Sequence, residues 1–289
     1  MNKEFRNTIK LLRIPFSFFL MPVFWLALSQ AENINWVNAI MCFVVLHLCI
    51  YPASNGYNSY MDQDETSIGG LEHPPKPTKQ LFYAALLLDI FGLILAYFVS
   101  LSFLFCVLGY VVASRAYSFK GIRLKKYPIL GFLTVVIFQG GFTFWMVYNA
   151  VGNNGFDISL VPILLACSFL IGGVYPLTQV YQHEADKASG DTTISYMLGI
   201  KGTFVFAAIL FAISNVFFIL HFVEQERIMH FFIMQLCLIP VTHFFFTWFK
   251  SVLKNPLEAN FKNTMRMNLI ASVCMNLCFI VLLTLKTIQ

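Results

Sequence analysis

Long apolar runs broken by short polar connections set the pattern of this chain. A helix that crosses a bilayer needs about 20 mainly apolar residues, fewer where it is short or broken. Nine runs meet that description, at approximately 14–30, 36–54, 81–99, 101–117, 129–149, 159–178, 203–222, 229–249 and 267–285. The third and fourth meet at Ser100 to Ser102, which predicts a tight hairpin. The expected fold is all-α and integral to the membrane, with nine transmembrane helices.

The second and sixth runs end in polar sequences that repeat each other at an offset of 124 residues. Tyr51-Pro52-Ala53-Ser54-Asn55-Gly56-Tyr57-Asn58 leads to Asp62, and Tyr175-Pro176-Leu177-Thr178-Gln179-Val180-Tyr181-Gln182 leads to Asp186. Tyr, Pro, a hydroxyl, an amide, Tyr, an amide and Asp recur in register, as duplication of a four-helix unit would leave them. The pattern predicts two four-helix pseudo-repeats plus one helix, with a central cavity opening to the cytoplasmic side. Such repeats often place a binding site between the halves. Asn55, Asn58 and Asp62 fall at i, i+3 and i+7, as do Gln179, Gln182 and Asp186, so each copy is expected to carry a polar helical stripe. Amides also join helices by hydrogen bonds, but that reading leaves two carboxylates at matching places unexplained. Polar groups at membrane depth are costly unless they face a cavity or each other.

Composition supports the membrane reading. Of 289 residues, 58% are hydrophobic and 11% charged, against about 25% charged in an average soluble domain. One soluble core could not bury that much apolar surface. The seven cysteines mostly lie inside apolar runs and form no CxxC or Cys/His set, so neither a structural metal site nor a disulfide framework is expected. Met1 to Arg13 form a basic amphipathic stretch with no small-residue cleavage site after it, and no removable signal peptide is expected.

Charge then orients the chain. With the N-terminus inside, seventeen of the 19 Lys and Arg residues face the cytoplasm, leaving Arg227 and Lys286 outside. The expectation is a multi-pass protein of the cell (inner, cytoplasmic) membrane, with a cytoplasmic N-terminus and the bilayer as partner. Nucleic acid is not an expected partner.

Acidic residues go against that positive trend at the two repeats. Asp62, Asp64 and Glu65 surround the first stripe; Glu184, Asp186 and Asp191 surround the second. Clustered carboxylates repel one another unless a cation neutralises them, and oxygen-only donors suit Mg²⁺ bridged to substrate phosphates. A solvated acidic loop is the plainer alternative. Between the fourth and fifth runs, residues 115–126 carry Arg115, Lys120, Arg123, Lys125 and Lys126. Topology anchoring accounts for such a loop; beside acid clusters, metal and cations together also clamp a diphosphate leaving group.

At these residues the chain resembles the UbiA superfamily of intramembrane prenyltransferases. Asn58 and Asp62 match the first two positions of N-x-x-x-D-x-x-x-D, while Thr66 departs from the third. Asp186 and Gly190 match D-x-x-x-D-x-x-x-G, with Gln182 in place of the first Asp. Tyr117-Ser118 to Arg123-Leu124-Lys125 resembles the Y-S-x-P-P-x-[KR]-x-[KR] stretch of the chlorophyll synthase and homogentisate prenyltransferase branch, with Lys120-Gly121 replacing the Pro pair. The resemblance implies a single transmembrane domain over residues 1–289 and Mg²⁺-dependent transfer of a prenyl group from an isoprenyl diphosphate to a hydrophobic or aromatic acceptor. Asp62, Asp186, Lys125 and Tyr117 are the implied catalytic residues. Asn55, Asn58, Lys120, Arg123, Lys125, Gln179, Tyr181 and Gln182 are the diphosphate candidates, and Asn58, Asp62, Asp64, Glu184 and Asp186 the metal candidates. A terpene cyclase, or a transport or non-catalytic membrane protein, is the alternative.

Four further features carry expectations. Asp89, inside the third span, is a candidate functional acid or a partner of a polar group across helices. His47 and His243 are expected to pack in the core. His183 is expected to tune charge or contact the acceptor. Residues 67–77 are rich in turn formers and read equally as a flap or a linker.

Overall fold

The apolar runs become helices in the computed structural model, which describes residues 3–152 and 155–288. Among the described residues, nine helical segments are long and apolar enough to cross a membrane, in the places the pattern predicts.

The first contains α1 (Lys3–Leu12), a 3₁₀ stretch Ile14–Leu20 and α2 (Met21–Gln30), broken where Arg13 adopts a positive φ of 48°. Met1 and Asn2 of the expected amphipathic stretch lie outside the described residues. The second runs from α3 (Trp36–Phe43) through a π-helical turn, Val44–Ile50, into α4 (Tyr51–Asp62). A wider i→i+5 turn just before Pro52 absorbs the hydrogen bond that proline cannot donate, so the helix continues past it. The polar residues Asn55, Asn58 and Asp62 therefore stand on the span itself. α5 (Lys79–Val99) and α6 (Leu101–Ser118) form the expected hairpin, with Ser100 Oγ capping α6 by accepting from Phe103 N.

The fifth span, α7 (Pro128–Gln139) and α8 (Gly141–Gly152), breaks at Gly140. α9 (Val161–Leu177), a short α10 (His183–Ser189), α11 (Ile194–Glu224), α12 (Ile228–Lys254) and α13 (Phe261–Ile288) complete the chain. α11 begins nine residues before the expected 203, capped by Thr193, and bends at Gly199, whose φ of 68° suits a residue without Cβ.

The chain divides into two compact units. One holds the chain up to Phe18, Ala31–Lys125 and the end of α8 from Met146. Here α5 turns small residues inward, Ala85, Gly92 and Ala96, and large ones outward, among them Leu87, Phe91 and Phe98. Lipid accepts the outer face, while the small inner face lets helices approach closely. Residues 67–72 are pinned rather than free: Ile68 and Leu71 pair, Arg13 Nη1 donates to Gly69 O at 3.0 Å, and Ile68 packs with Leu11, Leu12 and Leu81.

The other unit holds Phe19–Gln30, Lys126–Trp145 and the chain from Gly155. Its core gathers Phe204, Phe245, Trp248, Val252 and Met267. His47, buried in the first unit between Phe43 and Tyr51, is the core histidine expected. His243 is not: it is exposed. Two residues on, Phe245 faces the core, and at 3.6 residues per turn a two-residue step points to the far side of the helix.

Candidate functional site

The first unit assembles most of its predicted residues around the end of α4. Asp62 is the last residue of that helix, and Gln63 caps it in the left-handed region with φ 56°. The Asp62 side chain is only 5% exposed. Its Oδ1 accepts from Arg123 Nη1 at 3.3 Å and its Oδ2 from Lys125 Nζ. One turn earlier, Asn58 Oδ1 accepts from Ser118 Oγ at 2.7 Å. At Asn55 the backbone carbonyl is engaged, by Arg13 Nη2 at 3.3 Å.

Local geometry explains how the loop after α6 reaches back to Asp62. Phe119 ends α6, and its carbonyl accepts from both Ile122 N and Arg123 N. That tight turn leaves Arg123 with φ 48°. Arg13, Gln63 and Arg123 all adopt left-handed backbone in this same unit, a costly state that folded proteins concentrate at functional sites.

Asp64 lies beside this cluster. Burial, and secondarily the nearby Asp62 carboxylate, push its carboxyl up to about 6, against the opposing pull of Lys125, Arg13 and Arg123. Glu65 and Thr66 are exposed. Lys120 is exposed and makes no ion pair among the described residues; Tyr117 is half-buried on α6.

The second motif is built differently from the stripe the sequence predicts. α9 stops at Leu177, and Thr178 to Gln182 form turns with i→i+3 bonds, Thr178 N to Tyr175 O, Gln179 N to Pro176 O and Gln182 N to Gln179 O. Thr178 Oγ1 also donates to the Tyr175 carbonyl. Tight turns and that hydroxyl satisfy the last carbonyls, so the helix ends. Gln179, Gln182 and Asp186 therefore do not share one helical face. Gln179 is buried, its Nε2 donating to Tyr175 Oη at 2.9 Å, and Tyr181 sets its ring edge against Phe261.

Gln182 instead precedes α10, its carbonyl accepting from Asp186 N at 2.8 Å. Asp186 Oδ2 accepts from Thr193 Oγ1 at 3.0 Å. Gly190, with φ 73°, closes the helix, and Asp191 is buried with its N–H donating to Asp186 O. Glu184 is exposed. His183 Nε2 hydrogen-bonds Ser195 Oγ at 2.8 Å, and burial lowers its proton affinity.

Among the described residues, no group of three or more His, Cys, Asp and Glu side chains is arranged to hold a metal. What each motif offers is one or two carboxylates, joined in the first by an amide oxygen. Such a donor set suits a hard cation that completes its shell with other oxygens.

Several contributors escaped the sequence reading. Arg115, counted there with the basic loop, belongs to α6; it pairs with Asp89 and lies 4.0 Å from the centre of the Tyr57 ring. Ser118 and Thr193 hold Asn58 and Asp186, and nothing in their own type marks them out. Arg13 is signalled only by being a basic residue at the mouth of an apolar run.

By sequence, residues 19–270 match the model of the UbiA prenyltransferase family. No curated protein matches the chain. Among solved structures, a UbiA homologue from Archaeoglobus fulgidus bound to GPP and Mg²⁺ aligns with a TM-score of 0.72. The same homologue bound to DMAPP and Mg²⁺ gives 0.73, and in each case the identity is 17%, over 96% of this chain and 99% of that one. The apo UbiA homologue from Aeropyrum pernix K1 aligns at 0.71 with 17% identity, over 93% of this chain and 98% of its own. These likenesses establish a shared fold. Joined to a family match that covers both polar motifs, they place the chain in the UbiA prenyltransferase family.

Proposed function

We propose that this protein transfers a prenyl group from an isoprenyl diphosphate to a hydrophobic acceptor in the membrane, with Mg²⁺ as cofactor. The observation that carries this reading is Asp62: a nearly buried carboxylate at a helix end, held by Arg123 and Lys125, with the Asp64 carboxyl alongside. Carboxylates and cations so interleaved suit a ligand that is itself an anion carrying metal. The complexes of the Archaeoglobus homologue, with a prenyl diphosphate and Mg²⁺, support the same chemistry.

In this reading the first motif offers Asn58, Asp62 and Asp64 to Mg²⁺, and the second motif offers Glu184 and Asp186. Mg²⁺ held by these residues would supply charge neutralisation to the diphosphate leaving group. Arg123 and Lys125 shift from Asp62 to the diphosphate oxygens, stabilising the electron pair that the breaking C–O bond leaves on oxygen. Asn55 and Lys120 beside the first motif, and Gln179, Tyr181 and Gln182 beside the second, are the further diphosphate candidates, and Tyr117 serves as an aromatic neighbour of the allylic cation. The acceptor attacks that cation; its class is hydrophobic, aromatic or lipid. The distribution of basic residues supports a cytoplasmic N-terminus, and cytoplasmic loops at each motif, in the cell membrane.

The test is direct. Purified protein with Mg²⁺ releases diphosphate from farnesyl or geranylgeranyl diphosphate, and Asp62→Ala or Asp186→Ala lowers the rate at least 100-fold, a loss on the order of removing one transition-state contact. Activity that survives both substitutions overturns the assignment.

A further inference from the structure

We propose that the Asp89–Arg115 ion pair is a positioning device for the diphosphate-binding cations, an inference that rests on the function proposed above. Asp89 sits mid-span on α5 and is nearly buried; Arg115 reaches it from α6. The pairing runs through Nη2 and Oδ2, leaving Asp89 Oδ1 and Arg115 Nη1 buried. An intramembrane pair of this kind is costly to maintain and stands out as functional.

What the pair holds can be followed contact by contact. Arg115 lies over the ring of Tyr57 on α4, 4.0 Å from its centre. Three residues on, and so on the same face of α6, Ser118 donates to Asn58, the neighbour of Tyr57. One face of α6 thus grips two consecutive residues of α4, and Asp89 fixes the rotation of that face. Phe119 follows at once, and its carbonyl anchors the turn that throws Arg123 into left-handed backbone. Arg123 and Lys125 then land on Asp62. Rotating α6 would move the start of the turn and with it both cations. Asp89 and Arg115 act through other residues and touch no substrate.

Three full-length variants in lipid nanodiscs test this: Asp89→Asn, Asp89→Glu, and the double variant Asp89→Leu with Arg115→Leu. Binding of inorganic pyrophosphate with Mg²⁺ is measured by calorimetry, and turnover of geranylgeranyl diphosphate gives kcat and KM. Asp89→Asn is expected to weaken pyrophosphate binding and raise KM at least tenfold, with a smaller change in kcat, and Asp89→Glu to recover most of it. The double variant, which leaves no lone buried charge, is expected to keep the wild-type unfolding midpoint while staying impaired. Wild-type KM in a folded Asp89→Asn protein, or full recovery in the double variant, overturns the positioning role. A wild-type protein that neither binds pyrophosphate nor turns over the substrate refutes instead the function on which it rests.

Discussion

At the scale of single residues, Asp64 makes the sharpest claim. Its carboxyl is pushed up to about 6, by burial first and by Asp62 second. Because the folded value lies above the ordinary one, the fold favours the protonated acid; that contribution to stability is present at low pH and fades as pH rises through about 6. A ligand for Mg²⁺ must be ionised, so metal and proton compete. The Mg²⁺ concentration for half-maximal turnover should be flat above about pH 7 and rise roughly tenfold per unit below about 6. Asp64→Asn should remove that slope and leave a high requirement at every pH. A requirement constant from pH 5 to 8 in the wild type would take Asp64 out of the ligand set. The sequence shows this carboxylate and its cluster, but not the environment that shifts it, because that depends on burial and on Arg13, Arg123 and Lys125, which are distant in the chain.

Among the elements, helix ends and close approaches decide where the motifs sit. Both repeats have the same residue spacing, yet only the first is a continuous helical stripe. A π-turn precedes Pro52 and the helix runs on to Asp62, whereas i→i+3 turns end α9 before Gln179. Nothing local in Val44–Ile50 advertises that wider turn, so the difference is illegible in a sequence whose polar positions match. The Asp89–Arg115 pairing follows from the hairpin, a consequence that the sequence reading, which left Asp89 without a named partner, did not draw. Ser100 turns the hairpin, and the two residues lie 11 positions before it and 15 after, which puts them within about 6 Å in depth at 1.5 Å per residue. Gly140 is the element-scale counterpart of these ends. A Cβ there would lie 2.6 Å from Ser168 Cα and 2.5 Å from Val136 O, backbone atoms that cannot swing aside. Gly140→Ala should therefore lower the unfolding midpoint and cost about 1–3 kcal/mol, as overpacking does elsewhere. Thermal melts in detergent check this, and an unchanged midpoint would mean that α7 and α9 separate freely.

At the scale of the whole molecule, the nine spans among the described residues were legible because the bilayer imposes a length on every apolar run, and packing needs to add little to that. The family likeness was legible in three short motifs whose order and placement along the spans agree, and residues 19–270 carry the family match that confirms it. Side chains such as Ser118, Thr193 and Arg115 were not, since their roles follow from which helices touch. The central claim is prenyl transfer at the carboxylate motifs, and one measurement reaches it most directly. The purified protein, in nanodiscs containing membrane lipid extract, is incubated with geranylgeranyl diphosphate labelled in the prenyl chain, and the lipid products are separated. The label is expected to move into an acceptor lipid with Mg²⁺, to stay in the diphosphate when the metal is chelated, and to stay there in Asp62→Ala. Label that never leaves the diphosphate across a panel of prenyl chain lengths, or that transfers equally well in Asp62→Ala, would contradict the account.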